Sequence, residues 1–129
     1  MVNCNYLCQM KNNIIRDKSY QFAVRIVNLY RYLNEEKKEY VLSKQLLRCG
    51  TSVGAIIRES EHAESKADFV HKIAIAQKEI NEAIYWIELL KDTNFISETE
   101  FISISIDAIE IIKILTSISK TTKNNISKK

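Results

Sequence analysis

The side chains best suited to chemistry in this sequence are few and thinly spread. Two histidines, His62 and His71, stand near one another in the chain. Glu59-x-x-His62 matches half of a carboxylate-bridged di-metal motif, but such a centre needs a second Glu-x-x-His and two further glutamates from facing helices. No second copy exists. Cys4 and Cys8 are spaced as one thiol pair, and Cys49 lies in an apolar run, whereas zinc takes four Cys or His ligands. A Cys/His nucleophile would need a base and an orienting group in reach, which spacing alone does not supply. Both glycines fall inside a helical pattern instead of following a strand, so there is no phosphate-cradling loop. No catalytic residue, metal or cofactor is therefore assigned, and the expectation is a protein that is not an enzyme.

Cations are the remaining lead. Arg16, Arg25, Lys44, Arg48 and Arg58, with the lysines of the C-terminal tail, could neutralise phosphates, and such binding weakens steeply with salt. Arg48 and Arg58 are ten residues apart, which on a helix places them on adjoining faces. Two readings of Arg48 stand: a phosphate contact, or an ion pair with an acid such as Glu79 across helices. Formal charge is +3 over 129 residues. It is uneven, with residues 1–38 carrying seven basic and three acidic groups and residues 39–92 seven and nine. Basic ends permit contact with nucleic acid or an acidic partner, and equally serve as solvated, solubilising ends.

What must position these groups is helical. Two glycines and no prolines stand where average usage gives roughly nine and six. A strand-rich fold needs more turn residues than that. Phe22, Ile26, Leu29 and Leu33 recur at helical steps, and Leu42, Leu46, Cys49, Val53, Ile56 and Ile57 mark a second run from about residue 40 to 62. Ser65 and Asp68 form a cap signature ahead of Phe69, Ile73, Ala76, Ile80, Ala83, Ile87 and Leu90, a heptad seam held for three repeats. Ser97 and Glu100 repeat the signature before Phe101, Ile104, Ala108, Ile111, Leu115 and Ile118. The alternation over Phe101–Ile106 also fits a strand, but the heptad continuing to Ile118 decides for helix. Ile102, Ile106, Ile109, Ile112 and Ile114 spread apolar surface around this last helix, more than one small bundle can bury, which suggests contact with another subunit.

Gly50 and Gly54 need a reason inside a helix, because each costs about 1 kcal/mol against alanine. With Ser52 and Ala55 they make a small-residue patch suited to close approach of another helix; the competing reading is a kink. Four amphipathic segments on connections of roughly three to six residues give an all-α, antiparallel up-and-down four-helix bundle. The domain reading is a loosely ordered lead-in over 1–15, the bundle over 16–120 and a flexible basic tail over 121–129. An odd set of three cysteines, no signal-like start and no run near ~20 apolar residues point to the cytoplasm and away from membranes.

The middle of the chain resembles a known family. Tyr40–Ala63 (YVLSKQLLRCGTSVGAIIRESEHA) and Asp68–Leu90 (DFVHKIAIAQKEINEAIYWIELL) are similar to the four-helix bundle proteins encoded by intervening sequences in 23S rRNA genes. The resemblance rests on Ser43, Gln45, Leu46 and Arg48, then Ser52, Gly54, Ala55, Ile57 and Glu59, then Ala76, Glu79 and Trp86, and spans roughly residues 18–118. Ile56 stands where the family usually has Asn, and Arg58 where it usually has Ala, so any role of that Asn does not carry over. The resemblance implies a homo-oligomer, a pentameric ring of bundles. Relatives include the accessory protein of diversity-generating retroelements, which binds a reverse transcriptase and nucleic acid. Two functions follow as expectations: an oligomeric module contacting RNA, DNA or such a protein through basic surfaces, or an assembly module that binds no nucleic acid.

Overall fold

The computed structural model describes residues 4–127, with side chains over 9–125. Four helices account for them: α1 (Cys4–Glu35), α2 (Leu42–Ser60), α3 (Lys66–Asp92) and α4 (Glu98–Ser127). There is no strand among the described residues, so the Phe101–Ile106 alternation is helical. Each helix packs on its two neighbours in the order α1–α2–α3–α4, and the α1–α4 seam is the least closely packed of the four. The chain is an all-α, up-and-down four-helix bundle.

The inward stripes are those the spacing marks. Phe22, Ile26 and Leu33 of α1 meet Leu46, Cys49, Val53 and Ile57 of α2, the whole α3 seam from Ile73 to Leu90, and Ile104, Ala108, Ile111, Leu115 and Ile118 of α4. Burying each large aliphatic side chain contributes roughly 1.5–3 kcal/mol.

Local chemistry fixes the helix ends. Ser65 Oγ accepts from the Asp68 amide at 3.0 Å, and Ser97 and Glu100 form a reciprocal capping box, at 3.1 Å from the Glu100 amide and 3.3 Å from the Ser97 amide. At the end of α3, Asn94 adopts φ 67°, which lets the Phe95 amide reach the Leu90 carbonyl (2.9 Å) and the Asn94 amide the Lys91 carbonyl (3.0 Å). This is a Schellman stop, and Asn tolerates its left-handed backbone better than most residues.

At both ends of the chain the described helices extend into the stretches set apart in the sequence as lead-in and tail. The lead-in assigned to 1–15 is helical from Cys4 onward, with Ile15 buried seven residues before Phe22 on the same face. Helix α4 runs to Ser127, through most of the stretch assigned to a tail, while residues 128–129 lie outside the described residues. The polar composition there hides mutual support. Lys11 Nζ donates to Ser117 Oγ at 2.8 Å, and the Thr121 and Thr122 hydroxyls each donate to a carbonyl one turn back at 2.9 Å.

Candidate interaction surfaces

The small-residue patch of α2 splits in two. Gly50 and Gly54 face α1 so closely that a Cβ on Gly50 would lie 2.9 Å from Ile26 Cγ1 and one on Gly54 3.3 Å from the Ser19 carbonyl oxygen. Ser52 is half-buried and donates to the Cys49 carbonyl of its own helix at 2.9 Å. Ala55 is exposed: one step beyond Gly54 turns the chain 100° and carries the side chain out of the α1–α2 seam.

The five candidate phosphate-binding cations do not converge. Arg16 pairs with Glu61 at 3.4 Å along the α1–α2 seam. Arg25 lies in the α1–α4 seam, where Nη1 donates to Asp107 Oδ2 at 2.7 Å and Nη2 to Ser103 Oγ at 2.6 Å. Arg48 bridges α2 to α3 through Glu79 Oε2 at 3.4 Å and through Glu82 Oε2, so the ion-pair reading of this residue is the one the geometry realises. Arg58 stacks over the Tyr20 ring, 5.3 Å from its centroid. Lys44 is exposed on the outer side of α2. Three of the five are engaged on three different seams, and Lys44 and Arg58 have no acidic partner among the described residues.

The groups considered for chemistry are equally separated. Glu59 pairs with Lys72 at 3.6 Å, and His62 and His71 are exposed. Among the described residues no three His, Cys, Asp or Glu side chains gather as metal ligands. The side chains of Cys4 and Cys8 lie outside the described residues. Cys49 is a free, buried thiol whose pKa burial pushes up to about 12, with the nearby Glu82 carboxylate adding to the effect. It stays protonated near neutral pH and is no nucleophile.

Sequence reasoning passed over two features. Glu39, in the connection between α1 and α2, is buried and caps α2, accepting from the amides of Val41 (3.1 Å), Leu42 (2.8 Å) and Ser43 (2.7 Å). Burial pushes its pKa up, but those three amides and the Ser43 side chain together outweigh that and hold it below the usual carboxylate range. Its signal was an acid three positions ahead of Leu42, the first residue of the helix. The second feature is a second stripe on α1, where Tyr20 and Val24 are exposed although they sit at helical spacing.

A model of the 23S rRNA-intervening sequence protein family matches residues 11–117. The chain belongs to that family. Among solved structures, it is similar to a protein with unknown function from the S23 ribosomal protein family of Bacteroides thetaiotaomicron VPI-5482, known from a crystal structure at 1.70 Å. The two share 56% identity over 85% of this chain and 98% of that one, with a TM-score of 0.85. A comparison with curated proteins found no match. Family membership accounts for the Ser43–Glu59 block at the level of the fold: Ser43 and Ser52 hold helix-local hydrogen bonds and Gly54 admits α1. No helix among the described residues is long and apolar enough to cross a membrane.

Proposed function

We propose that this chain is a non-enzymatic assembly module that associates with copies of itself. The observation that carries the reading is the outer face of α4. Ile102, Ile106 and Ile109 are 50%, 59% and 47% exposed, although the inward face of the same helix is already complete. Single exposed isoleucines are ordinary, but three on successive turns of one face make a contiguous apolar strip of the kind found at interaction sites. The free thiol of Cys49 suits a reducing compartment, and we place the assembly in the cytoplasm. The family resemblance implies a ring, for which we propose five copies. Multi-angle light scattering should give a mass several times that of the chain; a single-chain mass at high concentration would remove the reading.

A second reading, contact with RNA, DNA or a partner protein such as a reverse transcriptase, draws on Lys44 and Arg58. These two cations have no acidic partner among the described residues, and an assembly would repeat them around its surface. Titrating single-stranded and duplex RNA and DNA against salt tests it. Binding that falls steeply with salt and weakens in Lys44→Ala/Arg58→Ala would support it, whereas no binding at low salt leaves assembly alone.

A further inference from the structure

The α4 ridge has a counterpart elsewhere on the same chain. On α1, the residues Tyr20, Val24, Val27 and Arg31 line an open depression of about 360 Å³. Tyr20 is 56% and Val24 45% exposed, so this is a second apolar surface that the bundle's own core does not use.

Contacts within the bundle show where the two surfaces stand along the bundle axis. Lys11 bonds Ser117, Lys18 pairs with Glu110 and Arg25 bonds Ser103. Each seven-residue step up α1 is therefore a seven-residue step down α4. Tyr20 is level with Ile109, Val24 with Ile106 and Val27 with Ile102, each to within about half a helical turn. The same register puts Asp17 level with Lys113 and Arg31 level with Glu98. All four of these charged residues are exposed. Each apolar strip is thus flanked, at matched heights, by charges opposite to those flanking the other strip.

Resting on the assembly reading, we infer that the occupant of the α1 depression is the α4 ridge of a second copy, joined head to tail with both bundles pointing the same way. Ile109, Ile106 and Ile102 of one copy then lie against Tyr20, Val24 and Val27 of the next. Asp17 meets Lys113 and Arg31 meets Glu98 at the two ends. Ridge and depression are different surfaces of one chain, so the contact is heterologous: each copy keeps a free ridge and a free depression, and the series ends only when a ring closes. A two-fold pairing of ridge on ridge could also match Glu98 with Lys113, but it would leave the α1 depression uncovered.

Charge exchange separates these arrangements. Sedimentation velocity over a concentration series would be run on the full chain and on variants at these exposed sites, with circular dichroism confirming helicity. Ile106→Asp and Val24→Asp should each raise the dissociation constant roughly thirtyfold or more, because each places a charge at the centre of the contact. Lys113→Asp should weaken association several-fold, and adding Asp17→Lys should restore it, whereas adding Glu98→Lys should weaken it further. Restoration by Glu98→Lys instead would establish ridge-on-ridge pairing and overturn the head-to-tail contact. Association that ignores both Ile106→Asp and Val24→Asp would overturn this interface while leaving assembly standing. A wild-type chain that is monomeric throughout would overturn both.

Discussion

Glu39 couples the start of α2 to pH. Its carboxylate takes three backbone amides that would otherwise be unpaired at the first turn, and it does so while buried. Because the folded pKa is lowered, the stabilisation is fully present above the unfolded carboxylate value of about 4.3 and is lost as pH falls through the folded one. Glu39→Gln should cost about 1–3 kcal/mol at neutral pH, since charge-assisted acceptors are the stronger ones. Urea titrations at pH 7 and pH 3 should show the gap between wild type and variant closing in acid. A gap that persists unchanged at pH 3 would mean the charge is not what holds the cap. The residue was hard to read in sequence because glutamate is not among the usual N-cap types, and its role depends on the bend that follows α1. There Lys38 adopts φ 54° and the Glu39 amide bonds the Leu33 carbonyl at 2.9 Å.

Between elements, α2 comes close to α1 at its two glycines. Gly54 faces a backbone carbonyl, which cannot rotate aside as a side-chain tip could. Gly54→Leu should therefore separate the two helices and lower stability by about 1–3 kcal/mol, even after the gain of about 1 kcal/mol in helix propensity. Thermal melting followed at 222 nm would measure it; an unchanged or raised midpoint would refute close packing at this site. The spacing of Gly50 and Gly54 announced a shared face, and that much was legible. Which helix lies against it was not, because a glycine carries no mark of its neighbour. The same limit explains Ser52 and Ala55, grouped with the glycines by size but separated from them by helical rotation.

At the scale of the whole molecule, one core runs through all four helices with no boundary inside it. Its only tryptophan, Trp86, reports from α3. Unfolding followed by Trp86 fluorescence and by far-ultraviolet circular dichroism should coincide in a single transition, and its midpoint should rise with protein concentration if copies associate. Separate transitions would show that part of the bundle, the looser α1–α4 seam first, opens by itself. The family block, the heptads of α3 and α4 and the scarcity of glycine and proline determined the architecture from sequence alone, because burial of a periodic stripe is a local pattern repeated along the chain. The fate of the cations was decided only in three dimensions. Arg16 and Arg25 read as free positive charge until folding set Glu61 and Asp107 beside them, and Arg48 stood between a phosphate contact and an ion pair until α3 brought Glu79 within reach, since an ion pair across helices depends on register and rotation that no spacing within one helix records. For the same reason the exposed strips of α1 and α4 became comparable only once packing had set both helices at known heights in one bundle.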